Sequence, residues 1–284
     1  MLIEKETFII DNPKENPIIC DISFKENSKN NSLIIFCHGY KGFKDWGAWN
    51  LIAEKFATAG FALCKFNFSL NGGTIDNPID FPDLDAFGRN TFSQELKDLE
   101  IVTDTILKKY KENVDVNNIT LIGHSRGGGI VLLRAAMDHR IKNVITWAGV
   151  SDFESRFPVE DELIKWKTDG VMYITNGRTK QNMPHYFSFY EDFINNKDNL
   201  NIEYAVKKLT IPQLIIHGLE DEAVSLNEAE LLKKWNANAK LTTVSSGHTF
   251  GSSHPWKDKK LPSKLNDVVV KTISFLNKHQ TDFN

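Results

Sequence analysis

Cysteine is scarce in this chain, and long apolar runs are absent. Three cysteines are an odd count, and Cys20, Cys37 and Cys64 each sit in or beside a short apolar stretch. They read as free thiols buried in strands, not as a disulfide framework, which fits a reducing cytoplasm. No stretch approaches the roughly 20 apolar residues that a membrane-spanning helix needs. No Cys/His spacing suggests a metal site, so neither metal nor organic cofactor is expected. Charge of one sign is lacking too. A formal net charge of −3 gives no reason to expect nucleic acid or an anionic membrane as partner, and the dispersed lysines, such as Lys257, Lys259 and Lys260, read as a solvated face. The opening Met1-Leu-Ile-Glu-Lys-Glu meets acidic residues before any apolar run, unlike a secretory signal. Internal repeats and low-complexity tracts are missing, and no residue argues for a particular oligomeric state.

What is present is an ordinary globular composition, 41% apolar and 25% charged over 284 residues. That length suits one large α/β domain with a modest insertion. Strand-like and helix-like segments alternate, as in a parallel sheet covered by helices. Residues 8–10 and 18–24 read as an N-terminal hairpin. Strands are expected at 33–37, 61–68, 119–122, 143–148, 213–217 and 240–244. The 33–37 run, Leu-Ile-Ile-Phe-Cys, has the continuous apolar character of a strand buried on both faces. Helices are expected at 48–59, 91–110, 126–137, 226–235 and about 266–279. The alternation stops between 150 and about 208, a stretch rich in Phe, Tyr, Trp, Asn, Lys and Asp. It reads as a cap inserted into a core of residues 1–149 and 209–284, with a hairpin turn at Thr168-Asp169-Gly170 and short helices near 187–195 and 200–207.

One pentapeptide carries chemistry: Gly123-His124-Ser125-Arg126-Gly127. A serine hydroxyl is a weak nucleophile until a base takes its proton and donors await the oxyanion. Gly-x-Ser-x-Gly meets both needs when its glycines allow a tight strand-to-helix turn that exposes the serine. By itself the pattern is weak evidence, since about 0.1 chance matches are expected at average Gly and Ser frequencies. Here a strand precedes it and a helix follows. An acid and a histidine should then lie downstream, each on a loop after a strand. The loop after 213–217 offers Glu220, Asp221 and Glu222. The pattern His-Gly-x-x-Asp-x-x-Val selects Asp221, with Glu220 as the alternative. After strand 240–244 comes Ser245-Ser-Gly-His248-Thr-Phe, which places His248 as base. His254 is the competitor, but Pro255 and Trp256 beside it favour a packing or cap role. His38, His124 and His217 flank glycine turns near strand ends and are expected to shape the site through hydrogen bonds. The oxyanion should meet the backbone N–H of Arg126 and that of Tyr40, in the loop His38-Gly-Tyr-Lys-Gly42.

Together His38-Gly39, Gly-His-Ser-Arg-Gly, His-Gly-Leu-Glu-Asp221 and Gly-His248-Thr-Phe resemble the α/β-hydrolase superfamily over nearly the whole chain. The similarity is to its esterase and acyl-peptidase-like branch, including dienelactone-hydrolase and cinnamoyl-esterase relatives. This resemblance implies an eight-stranded, mostly parallel sheet whose second strand is antiparallel, and hydrolysis of a carboxylic ester or amide by Ser125, Asp221 and His248 without a cofactor. The chain departs from the pattern at Asn67-Phe-Ser-Leu-Asn-Gly72, where many relatives place an Asp or Arg, and in the 151–208 segment. A small or medium acyl ester is the expected substrate, and a short acyl-peptide the alternative. Trp166, Tyr173, Tyr186, Phe187, Phe189 and Tyr190 would either line an acyl pocket or form the cap's own core. A peptidase would need a charged pocket for a peptide terminus, for which Arg156, Arg178 and Glu160 are candidates. A non-catalytic binding protein on the same fold would be expected to lack one triad position, yet all three are filled.

Overall fold

The computed structural model describes residues 2–280. Apolar runs too short and too continuous for surface helices build the centre. β1 (Ile3–Ile10) and β2 (Ile18–Lys25) form an antiparallel hairpin in which Ile10 faces Ile18. Then come β3 (Asn31–Cys37), α1 (Trp49–Thr58), β4 (Phe61–Phe66), α2 (Leu84–Arg89), α3 (Phe92–Lys109), β5 (Val114–His124), α4 (Arg126–Met137) and β6 (Ile141–Trp147). After a 3₁₀ turn at Glu154–Arg156 the chain forms α5 (Glu160–Asp169), β7 (Val171–Thr175), β8 (Asn182–Tyr186), α6 (Ser188–Asn195) and α7 (Ile202–Lys208). It closes with β9 (Gln213–Gly218), α8 (Leu226–Trp235), β10 (Lys240–Val244) and α9 (Ser263–Gln280). None of these helices is long and apolar enough to cross a membrane.

Eight strands make one sheet in the order β1-β2-β4-β3-β5-β6-β9-β10, with β2 antiparallel to both neighbours and the pairings from β4 onward parallel. This is the α/β-hydrolase fold. Alternate residues of β3 serve opposite cores. Leu33 and Ile35 pack with residues of α3 and α4, whereas Ile34 and Phe36 pack with residues of α1 and α9. The helix after β3 thus covers one face and the helix after β5 the other. These two strands are neighbours, with Cys37 paired to Gly123 at their carboxyl ends. Their connections diverge there and leave a crevice, the usual ligand position in open α/β sheets.

The expected hairpin turn at 168–170 is not one. Gly170, at φ 73°, is the left-handed cap of α5, and its N–H donates to the Trp166 carbonyl. The hairpin joins β7 to β8 instead, with its turn at 176–181. Asp-Gly serves helix ends and hairpins alike, because both require a positive φ. What decides between them is the helix upstream, and α5 advertises itself poorly because only Trp166 of it is buried. Helix α2, also unanticipated, is a short element capped by the Asp83 carboxylate, which accepts from the Ala86 N–H.

The loop after β3 is tied to the sheet by a buried cluster of charges. Lys65 of β4 lies 2.7 Å from Asp21 of β2 and 2.5 Å from Asp45, while Lys44 lies 2.8 Å from Asp21 and 2.6 Å from Asp45. Lys65 and Asp21 are 1% and 2% exposed, so each charge persists only through its partners. Burial would raise the Asp21 pKa, but the two ammonium groups outweigh it and hold the carboxyl well below its ordinary value. Asn67 completes the tether: its Oδ1 accepts from the Lys44 N–H at 2.6 Å and its Nδ2 donates to the Pro78 carbonyl. Asp21→Ala would leave two buried ammonium groups to share Asp45 and is expected to cost about 3–5 kcal/mol of stability, measured by urea denaturation. A loss under about 1 kcal/mol, the scale of an exposed pair, would show that the cluster is solvated.

Candidate active site

The crevice is built from the turn between β5 and α4. Ser125 has φ 57° and ψ −123°, a sparsely populated conformation for a residue with a side chain. Such backbones cost on the order of 1–3 kcal/mol and persist only when their surroundings hold them. Here Ser125 N–H donates to the Trp147 carbonyl at 3.0 Å, and its own carbonyl accepts from Gly128 and Val150. The turn closes only because small residues meet in it. A Cβ on Gly123 would stand 2.2 Å from the Gly127 carbonyl oxygen. Arg126 opens α4, so its N–H has no acceptor within the helix.

The loop after β3 comes against this turn. A Cβ on Gly39 would lie 2.8 Å from Ser125 Cβ, so glycine permits the approach. Gly42 N–H donates to the Gly39 carbonyl at 3.0 Å, closing a turn with Tyr40 and Lys41 at its centre. The Tyr40 hydroxyl is hydrogen-bonded to His185 Nε2 at 2.7 Å, linking this loop to β8.

From the other side come the loops after β9 and β10. His248 Nδ1 is 2.8 Å from Asp221 Oδ2 and donates to it, which leaves Nε2 as the acceptor nitrogen. Asp221 Oδ1 accepts the backbone N–H groups of Ala223 and Val224, each at 2.9 Å. Burial alone would raise this carboxyl's pKa, but the His248 and backbone hydrogen bonds lower it below its ordinary value. Glu220 is directed elsewhere and accepts from the Ser245 hydroxyl at 2.7 Å. Glu222 is exposed. Among the described residues the Ser125 hydroxyl makes no hydrogen bond to His248, but both line one cavity of about 440 Å³. A smaller cavity of about 160 Å³ shares Tyr40, Lys41, Ser125 and His248 with it.

Three further histidines, His38, His124 and His217, serve this frame, and His254 does not. His124 Nε2–H donates to the His248 carbonyl at 3.0 Å, fixing the loop. His217 Nε2–H donates to the Val224 carbonyl at 2.8 Å beneath Asp221. His38 Nδ1–H donates to the Gly39 carbonyl at 2.9 Å. His254 Nδ1 accepts from the Gly47 N–H at 3.0 Å, and its ring stacks on Trp46, apart from Asp221.

The larger cavity is walled by Phe92, Phe153, Phe157, Met172 and Phe189. Of the six aromatic candidates between 166 and 190, only Phe189 reaches it. Trp166 is buried under β8 through a hydrogen bond to the His185 carbonyl, and Tyr173 is exposed. Arg156 lines the cavity, whereas Arg178 pairs with Asp80 and Glu160 lies on the surface. Lys41, Glu95 and His185 escaped the sequence reading. Glu95 sits in the amphipathic pattern of α3, where a polar residue is expected to face solvent, and only the fold turns it inward.

Burial holds three of these imidazoles neutral, with pKa values of about 4 for His38 and about 3 for His124 and His185. Above pH 6.5 folded and unfolded chains are both neutral at these positions. Below it the unfolded chain gains protons that the native one refuses, so stability falls with pH until the native values are reached. Urea midpoints are therefore expected to drop between pH 7 and pH 4, with a shallower slope in His185→Gln. An unchanged slope in that variant would place His185 in contact with solvent.

The sequence profile of the prolyl oligopeptidase family matches residues 84–259, which hold Ser125, Asp221 and His248. Uncharacterized peptidase YtmA of Bacillus subtilis (strain 168) is 28% identical over 123 residues, 43% of this chain but only 42% of that protein. The fold is similar to Est1E from Butyrivibrio proteoclasticus, with a TM-score of 0.69 at 19% identity, covering 97% of this chain and 99% of that one. It is also similar to the Pyrococcus horikoshii acylaminoacyl peptidase, with a TM-score of 0.65 at 16% identity, covering 97% of this chain and 41% of that one. On an α/β-hydrolase fold, and with the family profile spanning well over half its length, the chain belongs to the prolyl oligopeptidase family.

Proposed function

We propose that the chain is a serine hydrolase that cleaves a carboxylic ester of a small or medium acyl group. One observation carries this reading: the 2.8 Å hydrogen bond from His248 to Asp221, on the rim of the cavity into which the strained Ser125 turn opens. Asp221 fixes the imidazole with its proton on Nδ1 and stabilises the cation that forms when Nε2 takes the Ser125 proton. The Ser125 oxygen then attacks the ester carbonyl. Backbone N–H groups of Tyr40 and Arg126 receive the oxyanion, the alcohol leaves with the proton from His248, and water repeats the sequence to free the acid. No step calls for a metal or organic cofactor.

Residues 150–208 act as a cap on a core of 1–149 and 209–284, a division supported by the cavity walls that Phe153, Met172 and Phe189 provide. The buried free thiols agree with a reducing cytoplasm. A short acyl-peptide is the second reading, favoured by the match to a peptidase family. The dipeptidyl form of it is disfavoured, because a carboxylate would be needed to hold a substrate's amino terminus and none of the described residues lining the cavity is one.

A fluorophosphonate probe is expected to label the wild type and not Ser125→Ala. Folded wild type that stays unlabelled would end the serine-hydrolase reading. Turnover of aminoacyl anilides without turnover of p-nitrophenyl esters would replace esterase by peptidase. His248→Ala should lower kcat about a thousandfold or more, while His254→Ala stays within a few-fold of wild type. The reverse pattern would make His254 the base.

A further inference from the structure

Among the described residues three cationic side chains, Lys41, Arg126 and Arg156, line the cavity beside Ser125, and no carboxylate does. Their partners differ. Arg156 Nη2 lies 2.5 Å from Glu228 Oε1, which neutralises it from behind. Arg126 makes a single 3.3 Å contact with Glu95. Lys41 has no carboxylate within reach among the described residues, and its ammonium stands 4.9 Å from the Tyr40 ring centre. Glu95 therefore offsets at most one of the two charges, and burial, which raises its pKa, weakens even that.

The two cations are placed by different means. The Arg126 guanidinium is stacked among Tyr40, Phe92 and Phe189, at 4.4, 5.1 and 5.5 Å from their ring centres. A guanidinium carries five N–H donors, and among the described residues Glu95 is the side chain that engages one of them. Lys41 occupies the left-handed region at φ 54°, a conformation that costs a side-chain residue roughly 1–2 kcal/mol and glycine nothing. Two like charges in a half-buried space disfavour one another: burial and then Arg126 lower the Lys41 pKa, and burial followed by both cations lowers that of His185. An anion supplied from outside would relieve that repulsion.

We propose that this end of the cavity binds a carboxylate of the substrate, with Arg126 and Lys41 as its recognition pair. The inference rests on the hydrolase reading and deepens it: the preferred ester carries a carboxylate on an apolar or aromatic body, which Phe92, Phe153 and Phe189 enclose. A monoanion is the smallest charge that balances the one left by Glu95. Arg126 supplies planar donors suited to two oxygens, and Lys41 supplies a point charge.

Calorimetric titration of Ser125→Ala with 4-phenylbutyrate and with its neutral amide tests the proposal without turnover. The acid is expected to bind at least tenfold more tightly than the amide, and added salt should narrow the gap. Adding Lys41→Met should cut the ratio at least fivefold, and Lys41→Glu should bring it to one or below. Arg126→Met should act in the same direction, and the Lys41 variants decide the matter if that protein fails to fold. Equal binding of acid and amide, or a ratio indifferent to Lys41, would overturn the proposal. Hydrolysis is scored separately, with p-nitrophenyl valerate and the p-nitrophenyl monoester of glutaric acid. Valerate turnover with equal acid and amide binding would sink carboxylate recognition alone. Selective acid binding with no turnover of either ester would sink the hydrolase reading alone.

Discussion

The parallel pairing of β3 with β5 is the constraint from which the site follows. It sets Cys37 opposite Gly123, so the two loops that leave these strands begin side by side and then part toward opposite faces of the sheet. Everything near Ser125 inherits its place from that divergence. The strained serine backbone is held by hydrogen bonds to Trp147, Gly128 and Val150, and Gly39 is drawn in close because no Cβ stands in the way. A register slip of one residue would reverse which side chains of β3 face each core, and both helices would lose their seats together.

Electrostatic isolation follows from the same packing. Burial keeps the His38 and His124 imidazoles neutral, and each donates to a backbone carbonyl. The charges that do persist are sorted into two groups. Asp21, Lys44, Asp45 and Lys65 satisfy one another beneath the loop after β3, and that mutual satisfaction is what anchors the loop carrying Tyr40. Lys41 and Arg126, only a few residues from that cluster or from Ser125 in sequence, have one carboxylate between them among the described residues, Glu95, which meets Arg126. Positive charge is thus compensated where it is structural and left over where a substrate would arrive.

Legibility in the sequence followed locality. Helix Arg126–Met137, helix Leu226–Trp235 and strand Lys240–Val244 were readable to the residue, because apolar periodicity and flanking turn residues agree there. Within segment 150–208 the helices near 187–195 and 200–207 were legible and appear as α6 and α7, but α5 and the β7–β8 hairpin were not, for the opposite reason. The segment's elements are short, its hairpin β7–β8 alternates weakly, and α5 buries one residue, so local pattern carries little of its stability. The Asp169-Gly170 pair misled because one backbone conformation serves two kinds of chain reversal. Asn67, in the stretch 67–72 that departs from the expected pattern, became intelligible only when its amide was seen to hold Lys44 and the Pro78 carbonyl.

The sequence by itself determined the alternating architecture and the strand-serine-helix turn. It also determined the order of Ser125, Asp221 and His248 along the chain, since each depends on residues adjacent to it. Local pattern already favoured Asp221 over Glu220 and a packing role for His254, whereas tertiary structure alone decided that Glu95 turns inward beneath Arg126 and that Tyr40 is tied to His185. It alone revealed a cavity lined by cations and aromatic rings. Those outcomes depend on side chains brought together from strands and loops up to a hundred residues or more apart, and no local pattern encodes which of several equivalent groups arrives first.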